Sequence, residues 1–285
     1  MQVTDYQLEE LQFAYCYHAF FHWRTHRRKP YADLAALNRE TLHALVDPYG
    51  IHVLECDCRP TEGRVLVSLR PNETTAACAN KLKGRVSKWL RERLRLEQPT
   101  SLLARGYFAS TSGGTTTEKV EAYLESQGEH HGYDTRVLPP VFLATYEPEQ
   151  QSEPWWHADH AFTHLQFHVV LATANRRGLF GPDEGAAVAA RWLDLQVENR
   201  FALRKVSFLP DHIHIAVLLH PAVAPAEVVL ILMNEGQRLL ADKYSGELVG
   251  RGLSRVWQPS AYIGSYGELA TPQVQKYIRR WREQE

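Results

Sequence analysis

Phe208-Leu-Pro-Asp-His212-Ile-His214-Ile-Ala-Val-Leu-Leu219 is the stretch on which the reading of this chain turns. Pro210 and Asp211 mark a tight turn between two apolar runs, which predicts a hairpin whose second strand begins near residue 211. Side chains alternate across a strand, so His212 and His214 share one face, about 7 Å apart, while Ile213 and Ile215 share the other. Two imidazoles placed this way can converge on one divalent ion. Alone, such a pair is more often two half-exposed strand histidines or a chance match.

Working outward, the second half predicts a strand at about 163–173, a helix at about 183–199 and strands at about 201–208 and 211–219. A helix at about 225–243, a strand at about 255–265 and a helix at about 271–284 follow. Pro182 and Asp183 open the first helix, and the run from Glu184 to Val197 has a 3.6-residue apolar period. Short apolar strands alternating with helices predict an α+β fold, an open antiparallel sheet with helices packed on it.

The first half repeats these landmarks in the same order. Gly106–Tyr123 matches Ala261–Tyr277 with a one-residue gap, Arg64–Pro71 matches His214–Pro221, and Tyr17–Phe21 matches Phe167–Leu171. Three blocks in order predict a duplication. We expect a domain at 1–127, a linker at 128–158 rich in Gly, Pro and acids, and a second domain at 159–285.

Composition fits a globular protein: 285 residues, 44% hydrophobic, 23% charged, formal net charge −1. No apolar run approaches the ~20 residues that span a bilayer. The polar, acidic start Met1–Glu10 is unlike a secretory signal, and a cytoplasmic location is expected. Four cysteines, all in the first half, are too few for a disulfide scaffold. Cys56 and Cys58 read as same-face strand thiols rather than a zinc pair. His157, His160, His164 and His168 have near-helical spacing, but a strand would scatter them. Basic character concentrates in Lys81–Arg95, where Lys81, Lys83, Arg85, Lys88, Arg91 and Arg95 give a helix a phosphate-tracking face. Trp257, Tyr107 and Tyr262 offer rings for unpaired bases, or for core packing.

The combination Leu209-Pro-Asp-His212-Ile-His214, Trp257–Gly267 and a later helical tyrosine resembles the single-tyrosine HUH transposases of insertion sequence 200/605 type and their relatives at repetitive extragenic palindromes. Ala261 and Ser265 depart from the family's aromatic strand pattern. The resemblance implies two tandem HUH-nuclease domains of ferredoxin-like type, a Tyr-x-x-x-Gln helix, and sites assembled in trans. After Tyr277 the glutamine is replaced by Trp281, whereas Tyr123-Leu-Glu-Ser-Gln127 is intact. The first half in turn carries Glu62 and Arg64 where the second has its histidines. Each half has lost what the other keeps.

The resemblance therefore implies one composite site. Tyr123 is the expected nucleophile and His212, His214 and Gln127 the expected ligands of Mg²⁺ or Mn²⁺; Tyr277 is the fallback nucleophile, expected to be inactive. The implied activity is single-stranded DNA cleavage and strand transfer through a 5′-phosphotyrosine, on single-stranded or hairpin DNA, by an intramolecular pseudo-dimer that can act as a monomer. The competing reading is a catalytically silent, domesticated relative that binds such DNA or RNA.

Overall fold

The computed structural model describes residues 3–97, 101–125, 140–146, 160–243, 245–250, 252 and 254–282. Its strands are β1 Gln12–Cys16, β2 His18–Arg24, β3 His52–Arg59, β4 Glu62–Ser68, β5 Tyr107–Ser112, β6 Phe142–Thr145, β7 Ala161–His164, β8 Gln166–Thr173, β9 Phe201–Leu209, β10 His212–Leu219 and β11 Trp257–Tyr266. Its helices are α1 Ala32–Ala35, α2 Arg39–Val46, α3 Thr75–Arg93, α4 Thr117–Glu125, α5 Pro182–Leu195, α6 Pro225–Lys243, α7 Ser245–Gly250 and α8 Thr271–Arg282. Within the segment read as a linker, β6 lies on the edge of a sheet against β9.

The strands form two sheets, ordered β1-β11-β8-β10-β9-β6 and β3-β4-β2-β5-β7. All pairings are antiparallel except two. β1 runs parallel to β11 and β7 runs parallel to β5, so each half lends one short strand to the other's sheet. The fold is thus the expected α+β arrangement, with the halves interleaved at their edges.

Local chemistry accounts for the helix starts. Glu184 caps α5 by accepting the Gly181 N–H at 3.0 Å, with Pro182 in the first turn. The Thr74 hydroxyl accepts the Ala77 N–H at 3.1 Å and starts α3. Val188, Ala189, Trp192 and Leu195 form the buried stripe of α5. Trp257 is also buried, its indole N–H donating to the Met233 carbonyl at 2.8 Å, so it packs in the core.

β10 is buried along its whole length because both faces are covered. Ile213, Ile215, Val217 and Leu219 join the main core with Leu232 and Met233 of α6. On the opposite face Ala216 packs with Val120 and Leu124 of α4, a helix from the first half. The reciprocal contact exists: Leu66 of β4 packs with Val274 and Ile278 of α8, from the second half.

Hydrogen bonds repeat across this pseudo-twofold junction. Thr117 N–H donates to the Gly267 carbonyl, and Thr271 N–H to that of Gly113. The Ser265 hydroxyl accepts from His18 N–H, and the Thr111 hydroxyl from Gln166 N–H, each at 2.8 Å. Ala76 N–H donates to the Pro221 carbonyl and Ala226 N–H to that of Pro71. A Cβ on Gly113 would lie 1.8 Å from the Ser265 carbonyl oxygen, and one on Gly267 2.1 Å from that of Thr111. Only glycine permits this crossing.

These pairs correct two details of the sequence alignment. Gly113 answers Gly267 and Thr117 answers Thr271, so 107–123 superposes on 261–277 with no gap. Leu69 N–H donates to the Tyr17 carbonyl and Leu219 N–H to that of Leu165, so Tyr17 corresponds to Leu165 rather than Phe167. A two-residue slip preserves the strand's alternation, which is why periodicity did not reveal it. The match of Glu62 with His212 and of Arg64 with His214 stands, since they pair with Arg24 and His22 of β2 and with Ala172 and Val170 of β8.

Candidate active site

The Pro210–Asp211 turn starts β10, and alternation then sends His212 and His214 to the face covered by α4. Both are nearly inaccessible, at 2% and 4% exposure. Their rings lie 5.0 Å apart, and the Nε2 atoms of both are closed off from solvent.

Each imidazole has a partner at Nδ1. His212 Nδ1 donates to the Asp211 carboxylate at 2.6 Å, and Arg176 holds Asp211 from outside at 2.9 Å. His214 Nδ1 is 3.0 Å from His168 Nε2, with the two rings stacked at 5.2 Å. Burial pushes the His168 imidazole down to about 4, so it is neutral at physiological pH; with its proton on Nδ1, His168 Nε2 would accept from His214 Nδ1. The Asp211 carboxylate leaves the His212 lone pair on Nε2, and that His168 tautomer would leave the His214 lone pair on Nε2 as well. A carboxylate or imidazole behind each ring, and a buried pair of Nε2 atoms in front, fits a divalent ion.

Tyr123 reaches this place from the other half. Its ring lies 5.5 Å from that of His214 and 6.1 Å from that of His168, edge to face in both cases. The helix is seated by Val120 and Leu124 and tied to β9 by ion pairs. Lys205 Nζ meets Glu125 at 2.7 Å, which holds that carboxyl below its ordinary range, and Arg204 meets Glu121 at 3.5 Å. Tyr262 completes the surround, its ring 6.0 Å from His168.

Gln127 falls outside the described residues. The side chains of Tyr277 and Trp281 are likewise not described, although their helix α8 packs on β3 and β4. At the matching place in the first half, Glu62 accepts from His22 Nε2 at 2.7 Å, with Arg64 at 3.6 Å and Arg24 at 4.0 Å. A guanidinium where an imidazole stands in the other half supplies fixed positive charge and no lone pair.

The basic helix engages its own surroundings. Lys81 pairs with Glu73 at 2.8 Å, Arg85 lies over the Tyr49 ring at 4.2 Å, and Lys88 is 3.9 Å from Glu92. Lys83 donates to the carbonyls of Arg105 and Gly106, and burial lowers its ammonium to about 8. Arg91 belongs to the same helix α3, and Arg95 follows it with a left-handed backbone, φ 51°. Cys56 and Cys58 are buried, their sulfurs 3.8 Å apart. Another group of metal-competent side chains, His43, Asp47 and His52, brings its ligand atoms within 4.8 Å of one another on the first half's surface. There His43 Nδ1 accepts the Val53 N–H at 3.4 Å, which leaves its proton on Nε2, facing Asp47 at 3.6 Å.

Three participants escaped the sequence reading. His168 was assigned to a scattered histidine set, and Asp211 to a turn. Tyr262 was weighed as a ring for base stacking or for core packing, not as a neighbour of the histidines. The pairing of β8 with β10, which sets His168 beside Ala216, was the missing signal for the first.

Among the described residues no helix is long and apolar enough to cross a membrane. No curated protein matches the chain. Among solved structures, a Deinococcus radiodurans R1 protein assigned as a transposase is 20% identical over 41% of this chain and 90% of its own, with a TM-score of 0.35. A mutant chlorite dismutase from Candidatus Nitrospira defluvii is 10% identical over 92% and 95% of the two chains, with a TM-score of 0.23. The sequence-family model for IS200-like transposases matches residues 12–127 and again 161–281. The chain belongs to the IS200-like transposase family, as a tandem duplication in which both copies persist.

Proposed function

We propose that this protein cuts and rejoins single-stranded DNA at one composite site, as a single-tyrosine HUH endonuclease and strand transferase. The division of labour we infer is a first domain at 1–127 that donates the tyrosine helix, a connecting segment at 128–158, and a second domain at 159–285 that donates the histidine pair. The observation that carries the reading is the seating of Tyr123, a first-half residue, against His214 and His168 of the second half.

In this reading His212 and His214, with Gln127 four residues after Tyr123 in the sequence, would hold Mg²⁺ or Mn²⁺. Gln127 follows Tyr123 at i+4 in the sequence, the spacing that shares a face wherever a helix carries both. When bound, the ion polarises the scissile phosphate and stabilises its developing charge. Asp211 and His168 hold the two imidazoles in the tautomer that ligation requires. The Tyr123 Oη forms a bond to phosphorus as the bond from phosphorus to O3′ breaks. The phenol loses its proton and the departing O3′ gains one, so the step is balanced. The product is a 5′-phosphotyrosine with a free 3′-hydroxyl, and the bond energy retained in the ester allows rejoining without a nucleotide cofactor.

Incubation with labelled single-stranded hairpin DNA and Mn²⁺ or Mg²⁺ tests this. A covalent adduct is expected from wild type and from Tyr277→Phe, and none from Tyr123→Phe. Loss of the adduct with Tyr277→Phe alone would place the chemistry in the second half by itself. Absence of an adduct from wild type on every substrate, with binding retained, would leave a DNA-binding relative that does not cut.

A further inference from the structure

The pseudo-twofold relation lets the composite site be compared, position by position, with the corresponding place in the other half. Phe20 pairs with Leu66 as His168 pairs with Ala216, so Phe20 stands where His168 does. Phe108 pairs with His22 as Tyr262 pairs with Val170, so Phe108 stands for Tyr262. Their geometry is retained: Phe20 and Phe108 meet edge to face at 6.2 Å, and His168 and Tyr262 at 6.0 Å. Phe162 replaces Ala14 on the exchanged strand, and His164 replaces Cys16.

The result is an open cavity of about 400 Å³, lined by Phe20, Phe108 and Phe162 with Ser110, His164 and Glu268 among its polar groups. Phe162 is 43% exposed and stacks on Phe108 at 5.6 Å with an interplanar angle of 25°. Small residues occupy the corresponding positions beside the histidines: Ala14, Gly264 for Ser110 and Gly114 for Glu268. Where one half has His168 and Tyr262 flanked by small residues, the other has an aromatic cleft with a polar rim.

We propose that this cleft is a nucleobase-binding site, in which an unpaired base stacks on the exposed phenylalanine while its edge bonds to the rim. The inference rests on the DNA-handling reading above. The chemistry of the lining selects a base over a phosphate: aromatic faces and a carboxylate attract ring systems and exocyclic amines and repel phosphate oxygens. Its position selects it over a peptide, since the pseudo-twofold counterpart of the cleft, around His168 and Tyr262, adjoins the site to which the same reading brings a nucleotide.

The test uses the full-length Tyr123→Phe protein without added metal, so that cutting plays no part. Fluorescence anisotropy with a labelled twelve-residue oligothymidylate is expected to give a Kd raised about tenfold by Phe162→Ala, within the range of a lost base–aromatic stack, and largely restored by Phe162→Trp. The effect should vanish on an oligomer with the same backbone and abasic sugars. Photocrosslinking of a 5-iodouracil oligomer should map to Phe162 or its neighbours in the cleft. A Kd within twofold of the parent, an equal loss on the abasic oligomer, or crosslinks confined to the other face of the molecule would each overturn the proposal. Loss of the adduct in wild type together with a normal Phe162 effect would sink the cutting reading and leave this one standing.

Discussion

At the scale of single residues, the arrangement behind the histidines has more consequence than the histidines alone. Asp211 can only accept when ionised, so it fixes the proton of His212 on Nδ1. Asp211→Asn keeps the shape and removes that constraint. Mn²⁺ affinity measured by titration calorimetry should fall by roughly 10- to 100-fold, with unfolding temperature little changed; an unaltered affinity would mean that Asp211 serves the turn and Arg176 instead. His212 and His214 were legible in sequence because alternation in a strand is a local property. His168 was not, because it reaches them through strand pairing across 46 residues. Gln127 is conspicuous in sequence, because its spacing from Tyr123 is local, and lies outside the described residues.

At the scale of elements, α4 shows how a helix from one half becomes part of the other's sheet. Leu124 is fully buried against Ala216 and Tyr266. Leu124→Ala should cost about 2–4 kcal/mol, within the range for a buried leucine. Hydrogen exchange in 117–125 should rise more than exchange in β8 or β10, and adduct formation should fall with it; uniform exchange throughout would show that α4 is not a separately seated element. The second half's elements were legible because capping residues, turns and apolar periods are all written locally. Others, two stretches of strand among them, were not. The run read as one strand at 163–173 divides at Leu165 because β7 departs to pair with β5, and β6 gains its strand form from β9. Pairing partners supplied by distant sequence leave no local periodic trace.

The whole molecule depends on a junction that buries titratable groups. His18 sits there, its amide donating to Ser265 and its Nδ1 3.0 Å from the Thr271 hydroxyl, and burial lowers its pKa. The other charge-bearing contact of that ring is the Cys16 thiol, whose pKa burial raises. His164, at the related junction, is lowered by burial too, against an opposing influence from Glu268 and with Arg204 adding to it. A histidine whose folded pKa is lowered binds its proton more tightly when unfolded. Its stabilising neutrality is complete above about pH 6.5 and is lost as pH falls below it. Urea midpoints should therefore drop between pH 7.5 and pH 5.5. His18→Gln, which installs the residue found at the related position 166, should flatten part of that drop; an identical pH profile would exclude His18 as a source. Gly113→Ala should lower global stability by roughly 1–3 kcal/mol, since a methyl there meets the Ser265 backbone. Equal stability by urea titration would mean that the crossing relaxes. The family and the duplication were legible in motifs, but the strand exchange that binds the halves was not, because edge strands of four and five residues carry almost no sequence signal.

The duplication also changes what inheritance can do to the site. In an assembly of two identical chains, every mutation appears twice, and losing a ligand from one centre loses it from both. Two copies in one reading frame are separate targets, so Glu62 and Arg64 can replace histidines while His212 and His214 persist. On the proposed reading, a chain with one working nucleophile carries one broken strand end at a time. Any reaction that needs two ends held together must then recruit a second molecule or proceed in turns, and the number of protein molecules per completed event becomes a property set by gene structure.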